Sequence, residues 1–267
     1  MYCSVILEDT DMIRMHSPSC TWLFLIILAL IPSMVYASAP MTMTASPTNI
    51  LMGARYDGVT LKASGTIPAG SDVILRFTGA PEELHLRQKG KVFGLLWMNT
   101  GKVRLNNVPK ICLVESSRPI DQLGAAGTAL QLASLKSTIK VEEGANSGNV
   151  DLIHELLLLK ENDGLYAETM GDIHLGPDTG ATRNFAAEIA IPSAVAPGHY
   201  NIEAVAVKDG AVVGQQTLDV EARLTGFPAW LSKLAFKNGL LYGILATVIA
   251  VVSGLAIGLV FQSKGAH

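Results

Sequence analysis

GLLYGILATVIAVVSGLAIGLVF, residues Gly239–Phe261, contains no charged side chain. At about 1.5 Å per residue such a run is long enough to cross a hydrocarbon layer roughly 30 Å thick. In lipid a single segment satisfies its own N–H and C=O groups only as a helix, so the run reads as one transmembrane helix. A soluble core helix of this length would show a polar face, and this one has none. Everything N-terminal to it then lies on one side of a membrane or is removed. The sequence by itself names no reaction and no ligand.

The opposite end carries a shorter apolar run, Thr21–Tyr36 (TWLFLIILALIPSMVY), preceded by Arg14 and followed by small residues. That length and those flanks fit a secretory signal peptide over residues 1–37, cut after Ala37, better than a second span. An uncleaved anchor is the alternative. Glu8, Asp9 and Asp11 stand where a signal peptide carries positive charge, and Met12 offers a start that removes them. Trp230, Lys233 and Lys237 precede the C-terminal run and set an aromatic ring and cations at the interface. Only Lys264 follows the run, a bias too small to override signal-led translocation. The expected arrangement is a single-pass membrane protein with its N-terminal domain outside and its tail, residues 262–267, in the cytoplasm.

Between the two apolar ends roughly 200 residues remain, enough for one large or two small domains with real cores. A formal net charge of −3 argues against nucleic acid as a partner. The charge is unevenly spread. From Arg76 to Arg118 the cations Arg76, Arg87, Lys89, Lys91, Lys102, Arg104, Lys110 and Arg118 outnumber Glu82, Glu83 and Glu115, whereas acidic residues dominate from Asp121 to Glu221. Of the 3 cysteines, Cys3 and Cys20 fall in or before the signal segment, which leaves Cys112 alone and allows no intramolecular disulfide framework. Cys112 sits in the strand-like Ile111–Val114 and reads as a small buried hydrophobe.

Within this region Val59–Ser64, Asp72–Phe77, Leu84–Arg87, Val108–Val114, Asn184–Ile191, Tyr200–Lys208 and Val212–Ala222 read as strands. Turn residues punctuate them at about 8–12-residue spacing, the mark of an antiparallel sandwich. Asn99-Thr100-Gly101, between Lys91–Met98 and Lys102–Leu105, reads as a hairpin turn, and Lys208-Asp209-Gly210-Ala211 as another. From Pro119 the period turns helical, with Ile120, Leu123, Ala126, Leu130, Leu132 and Leu135 in step. After the break at Gly144–Asn149, Val150–Lys160 (VDLIHELLLLK) reads as an amphipathic helix with Asp151 early and Lys160 late, matching the helix dipole. The prediction is a mainly β protein: immunoglobulin-like antiparallel sandwich or sandwiches, a helical insertion, and one C-terminal transmembrane helix. Its parts are a first β segment over 38–118, the insertion over 119–170, a second β segment over 171–224, a juxtamembrane stretch over 225–238 and the span over 239–261. Whether the β segments close one sandwich or two stays open.

Several short marks carry a resemblance. They are Lys89-Gly90-Lys91, Leu96-Trp97-Met98-Asn99, Val108-Pro109 and Ser116-Ser117-Arg118-Pro119, then Phe185 to Ile191-Pro192, Pro197-Gly198-His199-Tyr200 and Leu241-Tyr242-Gly243. Through these the chain resembles an uncharacterised family of putative transmembrane proteins of proteobacteria, over nearly all of the exported region and the anchor. The resemblance implies a protein of the bacterial inner membrane with a signal peptide, a periplasmic β-rich domain and one C-terminal span, with genes sometimes near permeases of the sulfite-exporter type. An aromatic residue often follows the Val-Pro strand in that family, where this chain has Cys112. It implies no catalytic residue.

The exported histidines His85, His154, His174 and His199 show no HxH or HExxH spacing. There is no GxSxG, no P-loop and no Cys/His pair at a recognisable spacing. Met41 and Met43 stand without nearby His or Cys, which argues against soft-metal binding. Glu161-Asn162-Asp163-Gly164 reads as a helix-terminating turn, because the downstream ligands of a calcium loop are missing. No catalytic, cofactor-binding or metal-binding residue is expected.

Two features remain. Alternation places Arg87 and Lys89 on one face of a strand, and Lys102 and Arg104 on one face of the next; with Lys91 they form an anion patch for small anions or lipid headgroups if the strands pair. The plainer alternative is a solvated face, or cations paired with the acidic remainder. Trp97 is expected to pack in the core. In the span, Ala246, Ala250, Gly254 and Gly258 recur every four residues and give a flat stripe where another helix can approach. The favoured reading is a non-enzymatic, membrane-anchored accessory subunit. Its expected partners are the lipid bilayer and another transmembrane helix, from a second copy or a permease-type protein. The alternative is a periplasmic anion-binding or sensing module.

Overall fold

The structure, a computed structural model, describes residues 41–142 and 151–262. The signal peptide with Met12, Cys3 and Cys20, the Gly144–Asn149 break and Lys264 lie outside the described residues.

Among the described residues the strands form three sheets. The first has the order β1 (Thr42–Ser46), β3 (Val59–Pro68), β11 (Thr182–Ile191), β10 (Ile173–Thr179), antiparallel throughout. The second runs β2 (Asn49–Met52), β13 (Ala211–Leu224), β12 (Gly198–Lys208), β4 (Asp72–Gly79), β7 (Cys112–Ser116), β9 (Tyr166–Met170). Its central pairs are antiparallel, and its edge pairs β2–β13 and β7–β9 are parallel. The third joins β5 (Pro81–Val92), β6 (Leu96–Pro109) and the short β8 (Lys140–Glu142). The chain is thus mainly β, with antiparallel sheets and one C-terminal apolar helix.

Side-chain periodicity explains the layering. In β11 Phe185, Ala187, Ile189 and Ile191 are buried and alternate with exposed residues, as on a sheet wetted on one face. In β4 Val73, Ile74 and Leu75 are all buried, which requires cover on both faces. One core, including Leu61, Ile67, Phe77, Phe185 and Ile202, fills the space between the first and second sheets. There the Phe77 and Tyr200 rings stack at 5.4 Å. A second core, including Ile74, Leu105, Val114, Leu123 and Leu156, lies on the other face of the second sheet. It is closed by the third sheet and by α1 (Gly124–Leu130), α2 (Leu135–Thr138) and α3 (Leu152–Asn162). β3 pairs with β11 and β4 with β12, so strands from both β segments share the same two sheets.

Local chemistry sets the element ends. The Asp151 carboxylate accepts hydrogen bonds from Ile153 N–H at 3.2 Å and His154 N–H at 3.1 Å, capping α3. Asp209 and Gly210, at φ of 53° and 79°, make the two-residue turn expected between β12 and β13. The other expected turn moves. The β5–β6 hairpin reverses at Phe93-Gly94-Leu95, with Phe93 and Gly94 at φ of 52° and 74°. Asn99-Thr100-Gly101 lies inside β6, where pairing steps from Gln88–Gly101 to Lys89–Asn99. The extra residue is taken up as a bulge, which is where a strand tolerates glycine.

The chain leaves the second sheet through α4 (Gly226–Lys237) and continues as α5 (Gly239–Gln262). Gly239–Phe261 has a mean hydropathy of 2.6, and none of it is buried. The β5–β6 hairpin springs from that same end of the sheet. β4 ends at Gly79 opposite Tyr200, Tyr200 faces Val220 of β13, and β13 then runs on to Leu224 and α4.

Candidate functional site

The five cations of the expected patch all lie on the β5–β6 hairpin, exposed. Alternation puts Arg87, Lys89 and Lys91 on one face of β5, and pairing sets Arg87 directly across from Lys102. The two cations flank a shallow depression that Asn99 and Gly101 complete. Like charges directly opposite one another repel and invite a bound anion between them. Neither makes an ion pair among the described residues.

Arg104 behaves differently. Its Nε lies 2.9 Å from Glu83 Oε1 and its Nη1 3.3 Å from Glu142 Oε2, so two carboxylates already neutralise it. The Lys91 ammonium sits over the Trp97 ring, 5.4 Å from its centroid. The cationic face is therefore Arg87, Lys89, Lys91 and Lys102, with Arg104 joined instead to its acidic neighbours.

Beyond these cations the hairpin turns apolar. Phe93 is 93% exposed, Leu95 85%, Leu96 62%, Trp97 67% and Met98 52%. Trp97 does not pack in the core as its residue type suggested. It pairs with Lys91, far out on the ribbon, past the packing of Leu86 and Val103 against the second core and past the pairing with β8 at Arg104–Asn106. Side chains still alternate at the tip, Leu96 and Met98 to one side and Trp97 to the other, but both sides are apolar there. Residue-type averages hide this surface, although the run FGLLWM, without a charged or polar side chain, is a visible signal.

At the hairpin's root, Lys160 of α3 lies 3.5 Å from Glu82, and the Tyr166 hydroxyl donates to Pro109 O at 2.8 Å. Nearby, a cleft of about 850 Å³ opens between the second sheet and the helices, with Arg76, Thr78, Asn107, Thr128, Gln131 and Ser137 in its wall. Among the described residues no His, Cys, Asp or Glu lines it. Among the described residues no group of three His, Cys, Asp or Glu side chains is placed to hold a metal ion. Cys112 is buried, and burial pushes its thiol up to about 11.

Ala246, Ala250, Gly254 and Gly258 are all exposed on α5. A Cβ placed on Gly254 or Gly258 would meet nothing within 4 Å. The stripe and the hairpin cations are separate features on separate elements.

Comparison with curated proteins finds no match. One solved structure is described as "Structural basis of T cell specificity and activation by the bacterial superantigen toxic shock syndrome toxin-1". A chain in it shares 9% identity, covering 70% of this chain and 100% of its own length, with a TM-score of 0.22, too low to support any argument. The family described as "Putative transmembrane protein (Alph_Pro_TM)" matches residues 40–263. That match takes in all three sheets and the apolar helix together, and the chain belongs to this family of transmembrane proteins.

Proposed function

We propose that the chain is a non-enzymatic accessory subunit of a membrane complex: an exported β domain held at the bacterial inner membrane by one helix that packs against another. The domain sits on the periplasmic side and the C-terminus in the cytoplasm. The observation that carries the reading is the span itself, apolar, uncovered along its length, with open space over Gly254 and Gly258. An immunoglobulin-like sandwich suits such an interaction role. Its support is the order β1-β3-β11-β10 against β2-β13-β12-β4-β7-β9 and the Tyr200 hydroxyl donating to Ala196 O four residues upstream, as in a tyrosine corner.

The test is crosslinking and co-purification from membranes in mild detergent, for the natural chain and for Gly254→Leu with Gly258→Leu. The reading expects a discrete partner or a dimer that the double variant loses. A monomer without partner, unchanged by the double variant, refutes it.

A second reading, an anion-binding or sensing module, draws on the Arg87–Lys102 pair. Calorimetry with sulfite, sulfate and phosphate tests it. Heats that persist after charge reversal at Lys89 and Lys102, or no heats at all, remove it.

A further inference from the structure

The tip of the β5–β6 hairpin is unlike the rest of the described exported surface. Elsewhere on the sheets and on α3, exposed large apolar residues stand singly or in one pair: Leu51, Val141, Met170 and Val212, and Leu158 with Leu159. At the tip Phe93, Leu95, Leu96, Trp97 and Met98 are exposed within six positions, interrupted only by Gly94. Isolated exposed hydrophobes need no explanation, whereas a contiguous patch marks a contact surface.

The tip's form narrows what it contacts. A sheet face that docks on a protein is apolar on the docked side and polar on the other. Here Val92, Leu96 and Met98 line one face, Trp97 the other, and Phe93 and Leu95 the turn between them, an arrangement suited to an apolar medium on every side. Behind it, Lys91, Lys89 and the Arg87–Lys102 pair form a cationic collar on a single face. Lysines at that depth keep their stems in apolar surroundings and their ammonium groups among anionic headgroups, and a tryptophan settles at the boundary. The Lys91 ammonium over the Trp97 ring is the contact such a boundary position favours. The hairpin leaves its sheet at the end from which the chain runs to its anchor, and the ribbon from Arg87 to Phe93 reaches roughly 20 Å.

We propose that the β5–β6 hairpin is a second membrane contact: its apolar tip enters the interface of the bilayer that holds α5, and Lys89, Lys91, Arg87 and Lys102 bind the acidic lipid headgroups around it. The domain is then fixed at two points and cannot swing freely about the α4–α5 joint. The spanning helix already holds the chain in the bilayer, so the hairpin's contact is an intramolecular one and needs little affinity of its own. The collar adds an attraction that grows with the acidic lipid content and weakens with salt.

The test uses the full chain with Trp22→Phe and Trp230→Phe, leaving Trp97 as the sole tryptophan. It is reconstituted into phosphatidylcholine vesicles with and without phosphatidylglycerol. Some of the phosphatidylcholine carries a nitroxide near the headgroup end of its acyl chain. Trp97 fluorescence is expected to fall at least about twofold with the nitroxide lipid, and further in vesicles containing phosphatidylglycerol. Added Leu95→Asp with Leu96→Asp abolishes that quenching. Lys89→Glu with Lys91→Glu removes only the phosphatidylglycerol-dependent part, while circular dichroism shows both variants folded. Free sulfate or phosphate at matched ionic strength leaves the quenching as chloride does.

Trp97 open to iodide and untouched by the nitroxide lipid overturns the proposal. So does Trp97 shielded from iodide without nitroxide quenching, because protein then covers the tip. Dilution of the chain in lipid would then tell a second copy from another partner. A Lys89→Glu/Lys91→Glu variant indistinguishable from the parent in both vesicle types also overturns it.

Discussion

Glu115 should make the stability of the β domain fall with rising pH. The residue lies in β7, opposite Leu75 of β4 and Thr169 of β9, and is 6% exposed. Its Oε2 has no hydrogen-bond partner among the described residues. Burial, helped by the charge of Asp172, pushes the carboxyl from its ordinary 4.5 up to about 7. The folded state therefore binds this proton more tightly than the unfolded chain. Stability from this group is full below about pH 4.5, declines as the pH rises toward 7, and is lost above it. The separation between 4.5 and about 7 corresponds to an upper limit of about 3 kcal/mol. Between about pH 5 and about pH 8 the expected loss is about 2 kcal/mol, or roughly 5 °C in melting temperature for a domain of this size. Glu115→Gln keeps the shape, removes the titration and should flatten that dependence. Thermal unfolding of the chain in detergent micelles, followed by near-ultraviolet circular dichroism across this range, reads the difference. A gap between parent and variant that stays constant with pH refutes the argument, because a purely steric or hydrogen-bonding role would behave that way.

Three further outcomes follow from packing. Leu61→Ala, at a fully buried position between the first two sheets, should cost about 2–5 kcal/mol and lower the melting temperature correspondingly. Gly65→Ala should destabilise more than an exposed strand substitution does. Its Cβ would fall 1.9 Å from Thr42 O, a backbone atom of β1, so β1 must separate from β3, and amide exchange in Thr42–Ser46 should rise. Cys112, in a chain with Cys3→Ser and Cys20→Ser, should resist maleimide at neutral pH while folded and react fully once unfolded. Its thiol is buried and pushed up to about 11, and rapid labelling of the folded chain would contradict that account.

What the sequence revealed depended on how local each cause was. The span at Gly239–Phe261 needs only composition, and the Asp209-Gly210 turn only two residues able to take positive φ. The β5–β6 turn misled because its sign was inverted. Asn99-Thr100-Gly101 has turn chemistry but serves as a bulge, whereas the true reversal at Phe93-Gly94-Leu95 is apolar on both sides of its glycine. The usual burial of large aromatics points Trp97 to the core. Its exposure depends on how far a two-stranded ribbon extends past its cover, which is a tertiary fact. Of the candidate cations, the positions of Arg87 and Lys102 followed from alternation once the strands paired. The neutralisation of Arg104 needed Glu142, which β8 brings alongside from far along the chain.

The pairing of β3 with β11 and of β4 with β12 also governs when this domain can fold. Both sheets wait for strands made after Thr182, so the early segments spend most of synthesis without their partners. Long-range pairing of that kind makes for slow folding and for a late, all-at-once closure. β13 is the last strand and runs on through α4 into the apolar helix. Completion of the β domain and delivery of the anchor to the bilayer therefore fall close together in time. A chain cut short before Ala211 would lack the strand that lies between β2 and β12 and would present open sheet edges to its neighbours.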